Sequence, residues 1–188
     1  MKRLVFTALL LMTALGAFAQ GRYGIKSGIA KTRTVTDGHE TFATQYFDDY
    51  GKKESLKQRM DIPGLVSYDY YTITKGNKAW MITVTDGKRN VKDFDNPTPD
   101  LTFLNPSQEV MAKYNMQYLG DEKVLGKPCK KYSYEIKQNR KTVLWTVWAY
   151  KGFPLKTVTQ KGKKTSTIEV TELKENVAVP QDVFKTTE

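Results

Sequence analysis

Thr142-Val143-Leu144-Trp145-Thr146-Val147-Trp148-Ala149-Tyr150 is the stretch on which the fold turns. Apart from Leu144 and Ala149 it is all β-branched or aromatic, a composition that suits an extended strand. Side chains alternate across a strand, so Val143, Trp145, Val147 and Ala149 point one way while Leu144, Trp148 and Tyr150 point the other. Both faces are apolar. The neighbouring run Tyr132-Ser133-Tyr134-Glu135-Ile136-Lys137 alternates cleanly, with one apolar and one polar face. The 142–150 strand is therefore expected to be covered on both sides. A helix on one face with an apolar contact on the other would do this, and so would a sheet wrapped around a ligand cavity.

Outward from this strand the same rhythm continues. Extended runs rich in Thr, Val, Ile and aromatics are broken at Asp37-Gly38, Asp49-Tyr50-Gly51, Lys75-Gly76-Asn77, Asp86-Gly87 and Lys161-Gly162-Lys163. Gly and Asp supply the backbone angles of tight connections. Roughly ten strands at this spacing predict an antiparallel meander curling toward a barrel. One segment breaks the rhythm. Asn105 reads as an N-cap, Pro106 as the first helical residue and Gln108 as the capping-box partner. Val110, Met111, Tyr114 and Tyr118 then share a helical face, and Gly120 stops it. The pattern predicts one helix over 106–119, lying on the sheet.

The amino terminus reads as a secretory signal: Lys2-Arg3, an apolar run from Leu4 to Leu15, and Ala17-Phe18-Ala19. Cleavage is expected before Gln20, and the apolar run is too short for a permanent anchor. No transmembrane segment is expected after cleavage. Of 188 residues, removal of the first nineteen leaves 169, enough for one domain over 20–188. Setting aside Lys2 and Arg3, 28 basic residues face 20 acidic ones, a net of +8. The expected address is the periplasm, with outer-membrane association or secretion as variants.

Chemistry-bearing residues are sparse. Cys129 is the single cysteine, so no intramolecular disulfide forms, and with the single histidine it cannot build a Cys/His zinc site. Its flanking lysines favour a thiolate, whereas a lone cysteine entering a strand reads as a small buried hydrophobe. His39 follows a turn with no nucleophile motif beside it. A hydrolase using His39 and a carboxylate is the weakest reading, because Asp48-Asp49 and Asp93, Asp95 and Asp100 fit solvated turns. No catalysis, cofactor or metal is expected. A basic, aromatic-rich β composition suggests single-stranded nucleic-acid binding by an OB-like fold, but export makes anionic envelope lipids the available partner, and nucleic acid is not expected. The functional expectation rests on Trp80, Tyr114, Tyr118, Tyr132, Tyr134, Trp145 and Trp148. They either pack a core or line an apolar pocket, and the two-faced strand favours the pocket.

Several motifs are familiar as a set. They are Val124-Leu125-Gly126-Lys127-Pro128-Cys129-Lys130-Lys131-Tyr132, Trp145-Thr146-Val147-Trp148 and Lys151-Gly152-Phe153-Pro154-Leu155-Lys156. Glu175-Asn176-Val177 and Val179-Pro180 through Phe184 follow, and Tyr46-Phe47-Asp48-Asp49-Tyr50-Gly51-Lys52-Lys53-Glu54 stands near the start. This combination resembles the exported, mostly uncharacterised proteins of the outer-membrane lipoprotein-sorting (LolA/LolB-like) superfamily. The resemblance implies a mainly β fold: a single curved antiparallel sheet forming an incomplete, half-open β-barrel, with helix covering the concave face. It also implies an apolar cavity for the acyl chain of a lipid or lipoprotein, in a carrier or a sensor. With Gln20 and not Cys directly after the expected cleavage site, a lipidated receptor like LolB is not expected. The competing expectation is a ligand-free structural or interaction module with an envelope protein partner.

Overall fold

The computed structural model describes residues 21–60, 68–138 and 141–187. The signal peptide expected over 1–19 lies outside the described residues. The strands are β1 (Gly28–Thr36), β2 (His39–Asp48), β3 (Lys53–Met60), β4 (Tyr68–Lys75), β5 (Lys78–Thr85) and β6 (Lys88–Asp95). They continue as β7 (Gln117–Val124), β8 (Lys127–Gln138), β9 (Lys141–Tyr150), β10 (Phe153–Lys161) and β11 (Lys164–Glu175). All eleven form one sheet in the order β6-β5-β4-β3-β2-β1-β11-β10-β9-β8-β7. Every pairing is antiparallel. Chain neighbours pair within β1–β6 and within β7–β11, and the first and last strands join these two halves at the centre. The outermost strands β6 and β7 do not pair with each other, so the sheet is mainly β, antiparallel and unclosed, as an incomplete barrel is.

Turn chemistry accounts for the meander. Asp37-Gly38 and Asp86-Gly87 both run at positive φ, at 51° and 82° and at 49° and 74°. Two such residues in a row make the turn whose twist matches a tight hairpin.

Two clusters of buried side chains hold the sheet. The first gathers Tyr23, Ile25, Ala30, Phe47, Cys129, Trp148, Phe153, Leu155 and Val170. Here the Tyr23, Phe47 and Phe153 rings meet at 4.8–5.2 Å. The second gathers Tyr132, Tyr134, Val147 and Ala149 from β8 and β9 with Leu101, Phe103, Tyr114 and Met116. Those last four come from residues 96–116, the connection that leads from one outer strand to the other. Trp148 packs into the first cluster and its neighbours Val147 and Ala149 into the second. The strand is thus covered on both faces, as its composition requires.

The helix departs from expectation. α1 covers only Gln108–Lys113, capped by Ser107, whose Oγ accepts from the Val110 amide. Asn105 is not the cap; it sits at φ 75°. At the other end Asn115 turns left-handed at φ 46°, and the Met116 amide closes onto the Met111 carbonyl at 2.7 Å. Residues 117–124, expected partly as helix, become β7. Cross-strand pairing of Gln117 with Ser133 and Tyr118 with Tyr132 outweighs two further turns of a short helix. Gly120 marks a shift of register in β7 instead of a helix stop. Among the described residues no helix is long and apolar enough to cross a membrane.

Candidate functional site

The 96–116 connection lies over β8 and β9 and is fastened at several points. The Arg22 guanidinium Nε donates to the Leu101 carbonyl at 3.1 Å, and the Thr102 hydroxyl donates to the Arg22 carbonyl at 3.2 Å. Arg22 also pairs with Glu54 at 2.7 Å, and the Tyr23 hydroxyl donates to the same carboxylate oxygen at 3.0 Å. Desolvation, then the Glu54 charge, push the Tyr23 hydroxyl well above its ordinary pKa, so it stays a donor. Asp100 accepts from Lys113 at 2.8 Å and from the Tyr114 hydroxyl at 2.6 Å. Burial works to raise the Asp100 pKa, but these donors together outweigh it and hold the carboxyl below its usual range. Tyr114 is pushed up to about 12, first by burial and then by donation to Asp100.

Beneath this connection the aromatic residues expected to act together divide into groups. Tyr114, Tyr132 and Tyr134 are buried in one cluster, with Trp145 packed against it. Phe103 meets Tyr134 at 5.4 Å and Tyr132 at 6.0 Å between ring centroids, and Trp145 stacks on Tyr134 at 5.8 Å. Tyr118 touches the cluster from β7, its ring 5.6 Å from Tyr132, but is half exposed. Trp148 lies on the opposite face of β9. Its indole N–H donates to Glu122 at 2.6 Å, and Lys131 and Lys156 lie over its ring. Trp80 stands on β5, seven places along the sheet from β9, under Lys75. Space between the connection and the β8–β9 aromatics is filled by Leu101, Phe103, Tyr114 and Met116.

An open cleft of about 440 Å³ adjoins that filled region. Phe103, Leu104, Pro128 and Ala149 supply its apolar lining, and Phe103 and Ala149 belong to the aromatic cluster as well. Asp121, Glu122, Lys123, Lys130 and Lys151 form the charged rim. At one wall of the cleft three remote segments converge on Gly152. The Gly24 amide donates to the Lys151 carbonyl at 2.8 Å. Gly152 itself runs at φ 80°, where an added Cβ would come within 2.6 Å of the Arg22 carbonyl oxygen and 2.7 Å of Leu104.

Rim charges differ in how they are matched. Glu122 accepts from Lys131 at 2.7 Å in addition to Trp148, and these donors hold its carboxyl below the usual range. Lys151 shares Glu175, at 3.4 Å, with Lys127, at 2.5 Å. Asp121 is engaged by the Tyr118 hydroxyl. Among the described residues, Lys123 and Lys130 find no ion pair or side-chain hydrogen bond.

The groups considered for catalysis lie apart from this cleft. His39 is exposed at the start of β2, and its neighbour Asp37 pairs with Lys164 at 3.0 Å. Asp95 pairs with Lys78 at 2.8 Å. Cys129 is buried, and that burial raises its thiol pKa, the opposite of thiolate activation. Among the described residues no group of three or more His, Cys, Asp or Glu side chains could hold a metal ion. Sequence reasoning passed over Phe103, Leu104, Arg22 and Glu54. The short apolar run Leu101-Thr102-Phe103-Leu104 was the available signal, masked by the prolines on either side.

No family model matches the chain, and no curated protein matches it. Solved structures do. A conserved uncharacterised protein of Thermus thermophilus is similar at 11% identity over 88% of each chain, with a TM-score of 0.53. A LolA superfamily protein of Nitrosomonas europaea is similar at 11% identity over 87% of this chain and 92% of its own, TM-score 0.40. The Pseudomonas aeruginosa MucA/MucB complex supplies another, at 15% identity over 92% of this chain and 59% of that one, TM-score 0.44. The likeness is one of fold.

Proposed function

We propose that the chain is exported to the periplasm, loses residues 1–19, and works as a non-catalytic binding protein for a lipid or lipoprotein acyl chain. The observation that carries this is the cleft: about 440 Å³ of open space whose apolar lining continues into the aromatic cluster. That volume falls within the roughly 300–1,000 Å³ of small-molecule sites. An acyl chain would lie against Phe103, with Tyr132, Tyr134, Tyr114 and Trp145 behind it, Tyr118 at the rim, and Trp148 positioning Glu122. Each CH₂ taken out of water contributes about 0.8 kcal/mol, so a chain of about fourteen carbons supplies on the order of 10 kcal/mol before ordering costs. Native mass spectrometry of the mature protein, purified gently from its own envelope, tests this. A discrete adduct that organic extraction releases as lipid supports the carrier.

The second reading is a ligand-free module that docks an envelope protein. It is favoured by the packing of Phe103, Tyr114 and Met116 into the space where an acyl chain would otherwise enter the concave face. A bare polypeptide mass, unchanged after incubation with phospholipid and lipopeptide, selects this reading.

A further inference from the structure

From the rim of the cleft we infer the class of its ligand, an inference that rests on the lipid-binding reading: an anionic single-chain amphiphile whose carboxylate or phosphate is held by Lys123 and Lys130. Both lysines project from the β7–β8 hairpin. In its register Asp121 stands opposite Lys130 and Lys123 opposite Pro128, so all four share one side of the hairpin and line the cleft. Glu122 is neutralised by Lys131, and Lys151 has Glu175 as its partner, shared with Lys127. The unmatched rim charges are then Asp121, Lys123 and Lys130, a surplus of one positive charge. Asp121 already takes the Tyr118 proton donor, while the two ammonium groups have no side-chain acceptor among the described residues.

Geometry sets the polarity of the ligand. The apolar residues Phe103 and Ala149 belong to the aromatic cluster, and Lys123 and Lys130 are exposed. A chain with one charged end fits that gradient, tail inward and head at the hairpin. The groove beside the exposed Phe42 makes a useful contrast. It is also lined by cationic groups, but Lys57 and Arg59 there both face Asp69 at 3.9 Å, so a carboxylate is already supplied by the protein.

The test is isothermal titration of the mature protein with dodecanoate, dodecyl phosphate and the neutral monododecanoylglycerol, at about 50 and about 300 mM NaCl, which span strong and weak screening. The expected result is that at least one anionic ligand binds about tenfold tighter than the neutral one. That preference disappears in the double variant Lys123→Gln/Lys130→Gln and shrinks in high salt. Lys161→Gln/Lys163→Gln, which removes the same net charge at the β10–β11 turn, retains it. Whichever of the two anions binds tighter identifies the head group as carboxylate or phosphate. Equal binding of neutral and anionic ligands, or a preference that survives the Lys123/Lys130 double variant, overturns the head-group assignment and leaves the lipid reading standing. No binding by any of the three, or binding untouched by the cleft-filling variant Pro128→Trp, overturns both.

Discussion

At Gly152 the backbone turns left-handed in contact with two other segments, so the position tolerates no side chain. A non-glycine residue in that conformation costs about 1–3 kcal/mol from backbone strain, before the clash with Arg22 and Leu104 is added. Gly152→Ala is expected to lower the thermal midpoint by about 2–4 °C per kcal/mol lost; an unchanged midpoint would show that the three segments do not converge there. Glu54 serves Arg22 and Tyr23 together. Removing it as Glu54→Ala strands a half-buried guanidinium and is expected to cost about 3 kcal/mol, whereas Tyr23→Phe, which leaves the ion pair intact, costs about 1 kcal/mol. Denaturant titration of the two variants should give that order, and the reverse order would refute the account. Glu175 gives a pH dependence. Burial pushes its pKa up, but Lys127 and Lys151 together pull it below the usual range. A depressed folded-state pKa contributes stability above the unfolded value of about 4.3, lost as pH falls through the folded value. Thermal melts should therefore weaken below about pH 4.3, and Glu175→Gln should start lower at neutral pH and fall less steeply.

Among the elements, the 96–116 connection departs furthest from its local sequence. Its helix is a single short stretch, and isolated helices of that length do not hold by themselves. It persists because Ser107 caps it, Val110 and Met111 rest on the aromatic cluster, and Asp100 ties its last turn. Ser107→Ala is expected to cost about 1 kcal/mol, with faster amide exchange at Val110 and Tyr114 and little change in the strands; uniform acceleration across the sheet would argue that the connection does not open by itself. The apolar spacing of Val110, Met111, Tyr114 and Tyr118 fits a longer helix equally well. What ends it is an edge of β8 ready to pair with Gln117 onward, and a periodicity count holds no information about that edge. By contrast β9 was legible from its residues alone, since its alternation and the coverage of both faces are consequences of composition along one strand.

On the scale of the whole molecule, an unclosed sheet leaves β6 and β7 with unpaired backbone groups, which invite another strand. β6 carries Lys88, Arg89, Lys92, Asp93 and Asp95, and charge on an edge strand opposes that association. Replacing Lys88 and Lys92 by Val would extend the apolar patch begun by the exposed Met81, which pairs with Lys92. Concentration-dependent association, read by size-exclusion chromatography with light scattering, is the expected outcome. A monomer at all concentrations would show that the edge is protected some other way.

Strand alternation, the two-residue turns and the antiparallel meander are local properties, set by neighbours within a few residues, and the amino-acid sequence determined them by itself. So were the absence of an internal disulfide and the burial expected of Cys129. Tertiary structure decided where the helix stops, which aromatics meet, and where open space remains. Trp145 and Trp148, three residues apart, part to opposite faces of β9; Tyr132 and Phe103, far apart in sequence, bring their rings together. The cleft is bounded by segments near residues 103, 121–130 and 149–152. Its shape is the sum of contacts between segments remote in the chain, and no pattern read along a single segment contains it.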